Sequence, residues 1–282
     1  MSLILSLTGL QAQFEVSLKL PRANFMALEP IEATVQITNR TGAVAVLGGP
    51  GRGEWLAFEM LNSTGDTLAQ LDVDGSQILQ MQPGASVRQK VVVTRAYSPE
   101  DMGNYGLRAR VRASERDFYQ SERVRFSIID NKPIWERSFG VPEGFKEVGQ
   151  RRRYALHIFR DYDSTSLYYR LLDDRAGTKL ITRRLGPLSQ VYDPQITLDA
   201  TNHLQVLFMA QAHVFAHATI DPTGKIAKLT YYSDEGSSRP TMQQDEKGQV
   251  LIAGGTRFDP GAAPEQPKGG GGKPVSAKPP GL

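Results

Sequence analysis

From Phe14 to Ile129 apolar and polar residues alternate with a period of two. "FEVSLKL" alternates; "IEATVQITN" puts Ile31, Ala33, Val35 and Ile37 on one face; "WLAFEML", "VRQKVVVT", "YGLRARVRA" and "RVRFSII" follow the same rule. Such alternation marks strands with one face buried. Turn formers punctuate them: Asn39-Arg40-Thr41-Gly42, Gly48-Gly49-Pro50-Gly51, Thr64-Gly65-Asp66, Asp74-Gly75 and Pro83-Gly84. Short strands at regular spacing, with no convincing helical stretch, predict an antiparallel sandwich.

The second half keeps the period but adds a repeat. "DPQITLDATNHLQVLF" at 193 returns in shortened form as "RPTMQQDEKGQVLI" at 239. "RYALHIFRD", "SLYYRLLDD" and "TKLITRRLG" share a layout with "HLQVLFMA", "HVFAHATID" and "KIAKLTYY". Gly177 and Gly224 are 47 residues apart, and Pro194 and Pro240 are 46 apart, as are Asp199 and Asp245. On this reading Asp174 and Asp221 open equivalent turns that Gly177 and Gly224 close. Four short strands per period in the mid-forties resemble the blade of a β-propeller. Residues 151–258 hold about two and a half such units, fewer than a closed propeller needs. The expectation is therefore an open antiparallel β-domain packed on the first half.

One phrase resembles a known family more closely. In "EDMGNYGLRARV", Asp101-x-Gly103-x-Tyr105-x-Leu107 is similar to the tyrosine corner of immunoglobulin-like domains. The resemblance covers about 115 residues and implies that Tyr105 is buried with its hydroxyl bonded to nearby backbone. It also implies that Leu107 stands where the second Cys would be, and that Trp55 takes the place of the core Trp. "LQMQPGASVRQKVVV" is similar to bacterial modules of that type. A shared fold implies no activity.

These readings divide the chain into the remnant of an export signal (1–13), an immunoglobulin-like β-sandwich (14–130), a linker (131–150), a propeller-like β-domain (151–258) and a disordered tail (259–282). The signal reading rests on the apolar run Leu3–Leu10 followed by Gln11-Ala12-Gln13, although no Lys or Arg precedes it. The linker is expected to dock Trp135 and Phe139 on a neighbour. The tail is Pro, Gly and Lys with too few apolar residues to offset the entropy of ordering.

Composition narrows the chemistry. With no cysteine, disulfides, Cys-ligated zinc and thiol catalysis are excluded. The net charge of +3 is spread along the chain, apart from Arg151–Arg153 and Arg183-Arg184, which speaks against nucleic acid as a partner. No segment reaches the roughly 18 apolar residues of a membrane-spanning helix. "GGGGKP" lacks the spacing and context of a phosphate loop. His213 and His217 are four apart on a strand, about 13 Å, too far to share a metal. His157 and His203 have no evident partner. Asp72-x-Asp74-Gly75-Ser76 opens like a calcium loop but lacks its closing Glu. Asp161 and Asp163 flank Tyr162 in a hairpin loop; paired carboxylates can run glycoside hydrolysis, but sequence does not fix their separation and Asp is also an ordinary turn former.

The sequence thus predicts no catalytic residue, no metal and no cofactor. It points to a non-enzymatic exported or cell-envelope protein for recognition, adhesion or structural assembly. The fitting partners are a protein or glycan ligand, with Tyr168, Tyr169 and Tyr192 as binding candidates, and self-association through open sheet edges. Trp55, Tyr105, Leu107 and Trp135 are expected to be structural. The alternative is a glycan-active hydrolase with a carboxylate site in the second domain.

Overall fold

The computed structural model describes residues 14–49, 54–73, 78–95, 97–114 and 116–260. The export-signal reading of 1–13, the Pro50-Gly51 end of one loop, the Asp74-Gly75-Ser76 turn and the tail from 261 onward lie outside the described residues.

The chain is all-β. Among the described residues no α-helix forms, and the only helical stretch is the 3-10 turn Val93–Arg95. The strands of the first part are β1 (Phe14–Lys19), β2 (Asn24–Met26), β3 (Glu32–Asn39), β4 (Ala45–Leu47), β5 (Leu56–Leu61), β6 (Thr67–Val73), β7 (Leu79–Met81), β8 (Ser86–Val92), β9 (Gly103–Arg112), β10 (Phe118–Gln120) and β11 (Val124–Ile129). They form a three-stranded sheet β1-β3-β8, a sheet β2-β11-β9-β5-β6 with β10 added to β9, and a small pair β4-β7. The period-two pattern sends one set of side chains from each sheet into a common core: Ala33, Val35 and Ile37 of β3 meet Phe58 and Met60 of β5 and Leu107, Ala109 and Val111 of β9. Trp55, Tyr105 and Leu107 belong to this core. The Tyr105 hydroxyl donates to the Asp101 carbonyl at 2.9 Å, and its ring stacks on Phe126 with centroids 5.6 Å apart. Strand β2 joins β11 in parallel, Asn24 opposite Ser127.

The second part is a propeller-like succession of small antiparallel sheets. Its strands are β12 (Trp135–Gly140), β13 (Arg151–Arg160), β14 (Thr165–Asp173), β15 (Lys179–Pro187), β16 (Gln195–Leu198), β17 (Leu204–Gln211), β18 (Val214–Ile220), β19 (Ile226–Ser233), β20 (Thr241–Gln244), β21 (Val250–Ala253) and β22 (Thr256–Phe258). One sheet runs β12-β13-β14-β15, the next β16-β17-β18-β19-β22, and β20-β21 is a hairpin. The registers repeat: Leu171 opposes Ile181 just before a bulge in the first sheet, as Thr219 opposes Lys228 just before a bulge in the second. A sheet of four strands, a second of four strands to which β22 adds a fifth, and the two-stranded hairpin are the two and a half units of the repeat.

Two expectations are corrected. The stretch 131–150 is not a plain linker, because Trp135–Gly140 is the first strand of the first sheet, with Trp135 opposite Leu156 and Gly140 opposite Arg151. It holds the place that β16 holds in the next sheet. Phe139 is buried there and stacks on Tyr154, centroids 4.7 Å apart, while Trp135 is half-buried. The first repeat turn is opened by Asp173, not Asp174. The Asp173 carboxylate accepts the backbone N–H groups of Arg175 and Ala176, whereas Asp174 pairs with Arg151 at 3.1 Å and Arg153 at 3.4 Å.

The later turns share one construction. Asp199, Asp221 and Asp245 each accept, through one carboxylate oxygen, the N–H groups two and four residues on: Thr201 and His203, Thr223 and Lys225, Lys247 and Gln249. An aspartate that bonds its own downstream backbone replaces a missing ladder partner. The fourth residue must then adopt positive φ, and it is Asn202, Gly224 or Gly248 at 61°, 80° and 75°. This is why the Asp phrase recurs.

By proximity the chain divides into two compact units, one running to Ser189 and including the turn Asp221–Lys225, the other made of Gln190–Ile220 and Ile226 onward. The first four-stranded sheet therefore groups with the N-terminal sheets. Side chains of its strand β14 are held by residues 22–29 and 130, as described next.

Candidate functional site

Three tyrosines were the binding candidates, and the structure separates them. Tyr168 and Tyr169 are neighbours on β14 and so point to opposite faces, yet both are fully buried. The Tyr168 hydroxyl accepts from Arg22 at 2.6 Å and donates to Glu29 at 3.0 Å, and Arg22 is itself paired with Glu29. Met26 and Phe159 pack around the ring, and the Arg22 guanidinium lies 4.5 Å from the Phe25 ring centre. Burial, reinforced by the Glu29 carboxylate, pushes the Tyr168 hydroxyl well above the ordinary phenol range, so it remains a donor. Tyr169 donates to the Gly224 carbonyl at 2.7 Å, and burial raises it to about 12. These two rings tie the first unit together and are not a binding surface.

A second set of internal ties surrounds Asp130. Its carboxylate takes Arg170 at 3.1 Å and Lys179 at 2.9 Å. His157 lies in the same cluster, 2 % exposed, its Nδ1 3.0 Å from both the backbone and the side-chain oxygen of Asn131. Two oxygen acceptors fix the proton on Nδ1, leaving a buried Nε2 with no partner. Burial, and the Arg170 charge after it, lower His157 to about 4, so it stays neutral at neutral pH.

The remaining candidates are also engaged. Asp161 accepts from the Asn24 amide at 2.8 Å and from the Tyr162 N–H, which makes it a hairpin anchor. His213 is exposed beside Asp234 at 2.8 Å, and His203 contacts the Thr201 hydroxyl at 2.8 Å. His217 is buried with Nε2 2.9 Å from the Gln205 side-chain oxygen. No group of three His, Asp or Glu side chains able to hold a metal occurs among the described residues. Among these residues no helix is long and apolar enough to cross a membrane, which says nothing of a strand barrel.

Tyr192 is different. It is 40 % exposed, on the approach to β16, and its ring stacks on Phe215 of β18 with centroids 6.2 Å apart. The Arg239 guanidinium lies 4.4 Å from the Tyr192 ring centre. With Asp193, Gln195, Leu207 and Met209 they line a cleft of about 240 Å³. Leu207, Met209 and Phe215 form its apolar floor, on which Tyr232, Met242 and Ile252 also pack. Gln195 accepts the Met242 N–H at 2.7 Å and so fixes the β20-β21 hairpin beside the cleft. The lining carries a cation, a carboxylate, an amide and apolar surface, but no histidine, serine or cysteine. Among these lining residues there is no nucleophile-and-base pair. Tyr192 was legible in the sequence, but Arg239 was not, because only the fold brings it 47 positions back to that ring.

Compared with protein-family profiles and with curated proteins, the chain matches none. Among solved structures it is similar to Spo0M, a sporulation control protein from Bacillus subtilis, at 10% identity, over 72% of this chain and 92% of that one, with a TM-score of 0.33. A score this low does not establish a common fold.

Proposed function

We propose that this is a non-enzymatic recognition protein of an exported or cell-envelope setting, whose partner is a protein segment seated in the Tyr192 cleft. The composition of the cleft carries the reading: an exposed aromatic and an arginine stand over an apolar floor, with Asp193 at the same rim. Exposed Tyr and Arg beside a small apolar recess are the residue types that dominate interface energetics. An apolar side chain next to an acidic group meets both the floor and Arg239.

The N-terminal pair of sheets is read as an immunoglobulin-type scaffold, supported by the bond from the Tyr105 hydroxyl to the Asp101 carbonyl. The export reading is supported by the apolar run before Gln11.

The test is an array of short peptides placing Phe or Leu beside Asp or Glu, probed with the full chain and with Tyr192→Ala and Arg239→Gln. The expected outcome is capture of a subset by the parent chain, weakened about tenfold or more in both variants at unchanged melting temperature. Equal capture by all three chains, or none by the parent chain, overturns the reading.

A further inference from the structure

The outer face of the β6-β5-β9-β10 sheet region carries a row of arginines that the Tyr192 cleft does not use. Arg108, Arg110 and Arg112 occupy alternate positions of β9 and so share one face, over a span of about 14 Å. Arg125 of β11 is exposed opposite Gly106 of β9, and the Arg123 side chain lies flat across Gly106. A Cβ there would stand 2.2 Å from the Arg123 Nε, so only glycine leaves room for that guanidinium. Beneath the row sits one buried carboxylate, Glu59, which takes Arg110 at 2.8 Å and lies 3.7 Å from Arg108. With Glu54 and Asp72, Glu59 sets three carboxylates against the five arginines Arg108, Arg110, Arg112, Arg123 and Arg125, which leaves the face net positive. Beside it Glu54, Gln70 and Asp72 line a shallow cleft of about 250 Å³ with Arg110, Arg112 and Phe118.

We infer that this face binds an acidic polysaccharide, a chain whose sugar units carry carboxylates. Arginine forks grip carboxylates through two parallel N–H donors, and a row of them along one strand suits an extended chain with repeated charge. Glu54, Asp72 and Gln70 supply acceptors for sugar hydroxyls. Charge alone does not separate this ligand from a nucleic acid, whose phosphates repeat in the same way. Single strands also need a succession of stacking rings. Here the exposed ring is Phe118, and Arg110 already covers it at 5.1 Å. Arginine clusters also take acidic peptide motifs, so the acceptors for sugar hydroxyls beside the row carry the choice of a polysaccharide over a peptide. The site shares no residue with the Tyr192 cleft, so the two stand or fall separately.

The experiment measures binding of polygalacturonate to the full chain, with neutral dextran, poly-glutamate and oligothymidylate as comparators, at several salt concentrations. Variants are Arg112→Gln with Arg125→Gln, Arg125→Gln alone, and Arg110→Lys, which keeps the charge over Glu59 but loses the fork. The expected result is saturable, salt-sensitive binding of polygalacturonate and none of dextran. The double variant should weaken it about tenfold and the single ones less, with the melting temperature of the Arg125→Gln chain unchanged. Absence of polygalacturonate binding overturns the inference. So does equal affinity in parent and Arg125→Gln chains, or tighter binding of poly-glutamate or oligothymidylate.

Discussion

The two larger sheets of the second part each bury a polar side chain on their third strand, and they satisfy it in opposite ways. Arg170 in β14 and His217 in β18 each face a threonine on the next strand, Thr182 and Thr230. In the first sheet the position is charged. Arg170 Nε donates to the Thr182 hydroxyl at 3.1 Å and the guanidinium pairs with Asp130, which Lys179 also contacts. Burial alone would raise Asp130, but Lys179 and Arg170 outweigh it and hold its carboxyl below the ordinary range. In the second sheet the position is neutral. His217 and Thr219 both donate to the Gln205 oxygen at 2.9 Å, and the Gln205 amide donates to Asp199 at 2.8 Å. Burial lowers His217 to about 4, with Lys228 adding to the effect. A buried polar position in such a sheet therefore takes an ion or a neutral chain, provided acceptors reach it. The first sheet borrows its acceptor from the segment before β12. The second supplies its own, Gln205 of β17, whose amide Asp199 in the turn from β16 holds in place.

Breaking the borrowed contact should have the largest effect. Asp130→Ala leaves the buried Arg170 guanidinium without its carboxylate and should cost about 3 to 5 kcal/mol in urea unfolding. A loss under about 1 kcal/mol would mean that Arg170 finds water or another acceptor. Acid should come next, and it probes both sheets. Unfolded histidines titrate near 6.5, so between there and about 4 the unfolded chain takes up protons that buried His157 and His217 refuse. The stability from keeping them neutral is complete above pH 6.5 and is lost as pH falls toward 4, by up to about 3 kcal/mol for each. His217→Gln should flatten that slope by half in a pH series of unfolding midpoints, and an unchanged slope would show His217 to be protonated in the fold. The smallest effect is expected from Gln205→Leu, which removes the shared acceptor of His217 and Thr219 and should cost about 2 kcal/mol. If Gln205→Leu costs as much as Asp130→Ala, the neutral chain is no less critical than the ionic one.

Much of this architecture was legible because strands and turns are local. "HLQVLFMA" and its companions alternate or run apolar, and the Asp-x-x-Gly-x turn carries its own acceptor. Strand β12 was harder to read. In "WERSFG" only Trp135 and Phe139 share the inward face, with Arg137 between them, as befits a sheet edge. Tyr168 and Tyr169 looked like exposed aromatics because their partners, Arg22, Glu29 and the Gly224 carbonyl, lie 146, 139 and 55 positions away. Burial on both faces of β14 comes from those distant groups and leaves no mark in "SLYYRLL". The candidate site was half legible for the same reason: Tyr192 announces an aromatic, and nothing local announces Arg239.

The parallel pairing of β2 with β11 has a consequence in time. Phe25 and Met26 emerge early in synthesis, but their ladder partners are Ile128 and Ile129, and Arg22 and Glu29 wait longer still for Tyr168. At roughly 5 to 20 residues per second, that wait is on the order of ten seconds. Throughout it an apolar strand with unmet backbone groups travels with the growing chain, exposed to any other edge it meets. The segment that later locks the first unit is thus the one whose pairing the chain must postpone longest, and a holding chaperone at that stage would act on Phe25-Met26-Ala27 before any other part of the fold.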